Sequence, residues 1–285
     1  MSGLAIARDV AALRGQVAGW RRAGETVGLV PTMGALHEGH LTLVRRAKER
    51  CDRAVATIFV NPKQFDRKED LESYPRSEAE DVRLLESVGC DLLFAPLDVA
   101  VIYPPGFVTR VSVAGLSACL DGLHRPGHFD GVTTVVSKLL LQALPDVAFF
   151  GEKDFQQQTI VRRMARDLDI PVEIAAVPTV READGLAMSS RNRLLTPEQR
   201  ALAPLLARVL NETAEAIAVD PTAEAAPFIA QARLRLGRGG FDKIDYVELR
   251  AADDLGELAS LERPGRLLAA AWLGRTRLID NVAVG

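Results

Sequence analysis

Short, nearly continuous apolar runs separated by amphipathic stretches constrain this chain more than any other feature. Val27–Val30 is one such run, and Ala54–Val60 (Ala-Val-Ala-Thr-Ile-Phe-Val) is another. A strand that is apolar at almost every position is buried on both faces, which happens when helices cover both sides of a parallel sheet. Further strands are predicted at Asp91–Ala95, Val147–Phe150 and Val172–Val177. Helical patterns fall between them, at Leu41–Arg50, Gly131–Leu144 and Phe155–Leu168, with one more opening at Ser77-Glu78-Ala79-Glu80 and ending near Gly89. Ser77 and Glu80 have the spacing of a capping box. The alternation predicts an α/β fold with a doubly wound parallel sheet.

The pattern changes after Arg181–Asn192. Thr196-Pro197-Glu198-Gln199 combines an N-cap, a proline at the first helical position and a glutamine closing the box, and so opens a long alanine- and leucine-rich helix. A second helix is predicted over Ala223–Leu236. Three strands follow near Ile244–Leu249, Arg266–Trp272 and Arg277–Val282, which makes the tail a smaller α+β domain. We place the domains at 1–183 and 184–285, with Asp184–Arg193 at their interface; 285 residues suffice for one large core and a second, smaller one.

Composition narrows the partners. With 48% apolar and 26% charged residues and a net charge of −3, the chain has no general attraction for nucleic acid or an anionic membrane, and its partners should be small molecules. Cys51, Cys90 and Cys119 are odd in number and widely spaced, the usage of buried free thiols in a reducing compartment. Met1 to Gly24 lacks both the apolar core of a signal peptide and the Arg/Ser bias of a transit peptide. No apolar stretch approaches a membrane span, and a cytoplasmic location is expected.

In an open parallel sheet, ligands bind beyond the carboxyl ends of the strands, so the residues after each strand carry the chemistry. Val27–Val30 leads into Pro31-Thr32-Met33-Gly34-Ala35-Leu36-His37-Glu38-Gly39-His40. A glycine-bearing turn feeding a helix is expected to aim backbone N–H groups, a helix N-terminus and two imidazoles at one anion, a nucleotide phosphate. The same spacing suits zinc ligands, but no cysteine lies near the pair and only four histidines exist. After the next strand comes Asn61-Pro62-Lys63-Gln64-Phe65. Asn61 reads equally as a loop starter and as a substrate contact, whereas Gln64 has no turn role and points to substrate. Gly151-Glu152-Lys153-Asp154 follows Val147–Phe150; it reads as a solvated helix start, yet Lys153 also sets a cation where phosphate would lie, with Gln157 one turn further on. Val180 and then Met188-Ser189-Ser190-Arg191-Asn192 follow the Val172–Val177 strand, and Arg191 can make charge-assisted bonds to phosphoryl oxygens.

Other charged features carry less. Asp66–Glu72 reads as a solvated run and Arg45–Arg50 as the wet face of a helix. Glu80-Asp81 is a candidate magnesium-holding pair, with Asp81 the better ligand, although adjacent acids do not share a helix face. Arg125 and His128 either orient substrate or shape their loop.

Taken together, Pro31–His40, Phe59–Phe65, Arg125–Phe129, Phe150–Gln157, Ser189–Asn192 and Ala271-Trp272-Leu273-Gly274 closely resemble the pantoate–β-alanine ligase family, in order and over nearly the whole chain. One departure is Lys63, where methionine is expected; it adds a charge beside the pantoate pocket. The resemblance implies a Rossmann-like, nucleotidyltransferase-type domain with a C-terminal lid, a homodimer, and a magnesium-dependent, two-step use of ATP. By that resemblance Met33, Gly34, Ala35, Leu36, His37, Glu38, Gly39 and His40 line the ATP site, His40 acting on the phosphates. Gly151, Glu152, Lys153, Asp154, Val180, Met188, Ser189, Ser190 and Arg191 also contact ATP, Lys153 and Arg191 neutralising charge. Gln64 holds pantoate and later β-alanine, and Gln157 holds pantoate. Rival readings are another adenylyl-transferring enzyme on the same fold, which would keep AMP on its product, and a nucleotide sensor with no turnover.

Overall fold

The computed structural model describes residues 3–65, 71, 72 and 74–285; apart from Leu71 and Glu72, the Asp66–Glu72 run lies outside them. The chain forms two compact units, 1–152 with 157–178, and 153–156 with 179–285.

The first unit is built on six parallel strands: β1 (Ala5–Ala7), β2 (Val27–Thr32), β3 (Arg53–Ile58), β4 (Leu92–Phe94), β5 (Val147–Gly151) and β6 (Glu173–Val177), in the order β1-β4-β3-β2-β5-β6. Among the described residues its longer helices are α1 (Val10–Arg22), α2 (Glu38–Arg50), α3 (Glu78–Ser87), α4 (His128–Ala143) and α5 (Phe155–Asp167). From β2 the chain steps outward through β3 to β4 and then returns to lay β5 on the other side of β2. The order reverses between β2 and β5, and a sheet of this kind opens its ligand crevice beyond the carboxyl ends of the two strands there. Val30, Ala54, Ala56, Leu93 and Phe149 are fully or almost fully buried in the core under α2. At Gly28 in β2 the packing is close: a Cβ there would sit 3.1 Å from both Ala47 Cβ and the Phe149 ring, tighter than ordinary contact.

In the second unit, α6 (Pro197–Leu202), α7 (Leu205–Val219) and α8 (Ala226–Arg238) accompany an antiparallel sheet of β7 (Lys243–Ala251), β8 (Gly265–Leu273) and β9 (Thr276–Val284). Leu206, Leu210, Leu236, Leu249, Leu267 and Ala271 meet in its core. The predicted α/β sheet and the small α+β tail are both present.

Three local expectations are corrected. The sequence reading has no element before Val27, yet β1 and α1 precede it, so the strand leading into the histidine turn is the second in chain order. The long helix after Thr196 is two, because Pro204 has no N–H to continue the first and stands at the N-terminal boundary of the second. Ser77 makes no side-chain capping bond, whereas Thr196 and Gln199 form the predicted reciprocal box, with bonds of 3.3 and 3.1 Å. Among the described residues no helix is long and apolar enough to cross a membrane. Cys51 and Cys90 are buried free thiols and Cys119 is a half-buried one.

Candidate active site

The histidine turn leaves β2 at Thr32 and enters α2 at Glu38. His37 is the helix N-cap, and the Gly39 N–H donates to its Nδ1 at 3.2 Å; His40 sits three positions on and accepts the His37 N–H on its own Nδ1 at 3.3 Å. Two histidines thus perform the reciprocal capping that Ser or Thr and Glu usually perform. Their rings lie 4.1 Å apart between centroids. Because both Nδ1 atoms accept from backbone N–H groups, both imidazoles carry their proton on Nε2 when neutral.

The expected cradle of backbone amides is not what the turn builds. The Gly34 N–H donates to Thr32 Oγ1 at 3.1 Å, and the Ala35 and Leu36 N–H groups donate to the two oxygens of Asp81 at 3.0 and 2.8 Å. Asp81, on α3, is 1% exposed. Its carboxylate closes the turn from beneath, so the part expected of it as a magnesium ligand is corrected: it holds backbone. Gly34 has φ +83°, and a Cβ there would come 3.0 Å from Asp81 Oδ2. Ala35 also takes a positive φ, 51°, unusual strain for an alanine. Gly34, Ala35 and Leu36 are buried, while Met33, His37, Gly39 and His40 are half-buried. Glu38 is exposed and pairs with Arg45.

Beyond β3, the single 3-10 turn Pro62–Gln64 presents Gln64. Asn61, 1% exposed, makes four bonds inside the protein: Oδ1 accepts from the Lys63 N–H at 3.2 Å and the Tyr103 hydroxyl at 2.8 Å, and Nδ2 donates to Gln64 Oε1 at 2.9 Å and the Gly131 carbonyl at 3.0 Å. Asn61 is therefore committed to holding the Gln64 amide, and its reading as a substrate contact is corrected. Burial pushes the Tyr103 hydroxyl up from its ordinary range, which keeps it a donor to Asn61. Arg125 and His128, undecided in the sequence, both serve the same turn. The Gln64 carbonyl accepts from His128 Nδ1 at 2.9 Å and Arg125 Nη2 at 3.3 Å, and Arg125 Nη1 donates to His128 Nε2 at 3.1 Å. Lys63 Nζ lies 5.1 Å from the Tyr103 ring centroid and 5.4 Å from that of Phe107, so its charge rests on aromatic faces. Gln157 is half-buried in the first turn of α5.

The second unit has its own cationic cleft, lined by Lys153, Ser189, Arg191, Asn192, Arg277 and Asp280 among others. Lys153 follows β5 in the 3-10 turn Glu152–Asp154, its Nζ 3.6 Å from Asp154 Oδ1. Ser189 caps a 3-10 turn, Ser190–Leu194, by accepting the Arg191 N–H at 3.2 Å. The Met188 N–H donates to the Val180 carbonyl at 2.9 Å, closing a narrow hairpin whose next pair is Arg181 and Ala187. Arg181 grips the buried Asp280 through two bonds of 2.7 and 2.9 Å. Lys153, Ser189 and Arg191, far apart in sequence, line one cleft, and Arg277, which the sequence did not single out, lines it too.

Among the described residues no group of three or more His, Cys, Asp or Glu could hold a metal ion. With Asp81 occupied, the described residues do not fit a magnesium cage.

A profile of the Pantoate-beta-alanine ligase family matches residues 5–283. The chain is 60% identical to pantothenate synthetase of Paramagnetospirillum magneticum over 98% of its own length and 97% of that protein. Against pantothenate synthetase of Caulobacter vibrioides the identity is 55%, covering 98% of each. Among solved structures, pantothenate synthetase from Thermus thermophilus superimposes with TM-score 0.90 at 45% identity, over 98% of this chain and 99% of that one. The pantoate-beta-alanine ligase of Francisella tularensis, solved in complex with beta-gamma ATP and beta-alanine, gives 0.81 at 31% identity, over 98% and 97%.

Proposed function

The chain belongs to the pantoate–β-alanine ligase family, and from that premise we propose that it makes pantothenate from (R)-pantoate and β-alanine through a pantoyl adenylate, with ATP leaving as AMP and pyrophosphate. In the first step a pantoate carboxylate oxygen attacks the α-phosphorus of ATP, and the bond to the bridging oxygen of pyrophosphate breaks. In the second the β-alanine amine attacks the acyl carbon, the bond to AMP breaks and the amine loses its proton. Neither step needs a covalent enzyme intermediate. What they need is alignment and neutralisation of phosphate charge.

The observation that carries this reading is the cross-bonded histidine pair, whose capping bonds engage both Nδ1 atoms and set the proton of each neutral ring on Nε2. On the first unit, His37 and His40 donate to phosphate oxygens, Met33–His40 and Gly151–Glu152 border ATP, Gln64 orients pantoate and then β-alanine, and Gln157 orients pantoate. On the second, Lys153 and Arg191 offset triphosphate charge, with Asp154, Val180, Met188, Ser189 and Ser190 against the nucleotide. Magnesium would arrive with the ATP phosphates, since the chain supplies no cage for it among its described residues. A cytoplasmic homodimer completes the reading.

Nucleotide products analysed with ATP and magnesium, first with pantoate and then with β-alanine added, test it. Pyrophosphate exchange that requires pantoate, and sustained AMP release that requires both acids, are the expected result. ADP as the product, or AMP retained on the acid, would overturn it.

A further inference from the structure

Asn281 on β9 is 3% exposed and lies between two groups that fix its amide. Arg266, on the neighbouring strand β8, donates from Nε to Asn281 Oδ1 at 2.6 Å, while its guanidinium stands 4.4 Å above the Phe155 ring. A guanidinium only donates, so the amide oxygen must face it. The NH2 group is thereby turned the other way, and it donates to the backbone carbonyl of Lys153 at 2.9 Å. A carbonyl only accepts, so both ends of the amide agree on one orientation. The strand beneath is fixed as well: the Asn281 N–H donates to Asp280 Oδ1 at 2.8 Å, and Arg181 holds that carboxylate.

We propose that Asn281, oriented by Arg266, is a positioning residue for Lys153. It ties the 3-10 turn Glu152–Asp154 to β9, so that Lys153 is held at the wall of the cleft it shares with Ser189 and Arg191. The proposal rests on the reading of Lys153 as a group that offsets triphosphate charge. Asn281→Asp keeps the volume and the acceptor for Arg266 but sets an oxygen against the Lys153 carbonyl, a contact with no proton in it.

Pantoate-dependent ATP–pyrophosphate exchange measured for Asn281→Asp, Lys153→Ala and the double variant decides the matter. The single Asn281 variant should lose roughly 10- to 100-fold in kcat, with KM for pantoate unchanged. In the Lys153→Ala background the same substitution should change the rate less than about twofold, because residues acting as a unit are not additive. Equal losses in both backgrounds would make Asn281 merely structural and overturn the proposal. A wild-type rate for Lys153→Ala would instead remove the reading on which the proposal rests. Should Asn281→Asp fail to fold, Arg266→Met carries the same comparison, with partial rescue expected from Arg266→Lys and none overturning the assignment.

Discussion

His37 and His40 each do two things at once, and the two can be separated by substitution. One ring nitrogen of each satisfies an orphan N–H at the start of α2, and the proton of the neutral ring sits on the other. Glutamine is an ordinary residue at the third position of a capping box, and its Oε1 can accept the His37 N–H as His40 Nδ1 does. His40→Gln should therefore keep the urea-unfolding free energy within about 0.5 kcal/mol of wild type, whereas His40→Ala should lose about 1 kcal/mol with the cap. Both should lose at least ~10²-fold in adenylate formation, measured as pyrophosphate exchange. An active His40→Gln enzyme would reduce the pair to a helix cap. The histidine spacing was legible in the sequence because motif and strand end coincide there. Its capping role was not, because the familiar signal is Ser or Thr followed by Glu. Asp81 was misread for a different reason: its partners, Ala35 and Leu36, lie more than forty positions away, and an acid's local spacing says nothing of distant amides.

At the scale of elements, the 3-10 turn Pro62–Gln64 shows how a loop can be made rigid from outside. Asn61 and Tyr103 hold its side chains, Arg125 and His128 hold its last carbonyl, and α4 passes so close beneath that only glycine fits at position 131. A Cβ on Gly131 would stand 2.2 Å from the Lys63 carbonyl oxygen and 2.7 Å from the Gln64 nitrogen, both backbone atoms that cannot rotate away. Gly131→Ala must push the turn outward. We expect it to cost about 1–3 kcal/mol of stability and to raise KM for pantoate roughly tenfold or more while KM for ATP changes little, since a small misplacement of an orienting group is costly. Steady-state kinetics with each substrate varied checks this, and an unchanged pantoate KM would separate the turn from substrate. Gln64 stood out in the sequence because it had no local turn role; the groups that hold its turn did not, Tyr103, Arg125 and His128 being distant in sequence. The strands β2 to β9 were readable from their apolar runs, whereas β1, three residues at a sheet edge, is too short to show a period.

For the molecule as a whole, the charge buried in the second unit decides how it meets acid. Asp245 on β7 is almost wholly enclosed, and Arg277 Nε, Lys243 Nζ and Trp272 Nε1 converge on its carboxylate at 2.8, 2.8 and 3.0 Å. Burial alone would raise its pKa; the hydrogen bonds from Arg277, Lys243 and Trp272 outweigh it and bring the carboxyl down from the ordinary 3.8 to about 2. A pKa lower in the folded chain than in the unfolded one means that the unfolded chain binds the proton first as pH falls. The stabilisation is then complete above about pH 4 and drains away as the pH drops through about 2. At ~1.4 kcal/mol per pKa unit it amounts to about 2 kcal/mol. Asp245→Asn, which cannot ionise, should thus unfold at lower urea than wild type at pH 7 by roughly that free energy, and the gap should narrow steadily between pH 4 and pH 2. Unfolding curves recorded across that range test the sign directly: a gap that widened in acid would mean that burial, not pairing, governs the carboxyl. Arg277 also lines the cleft that holds Lys153 and Arg191, so the ion pair that steadies the small sheet steadies one wall of that cleft. Loss of Asp245 should therefore weaken ATP binding at neutral pH, where the fold itself persists.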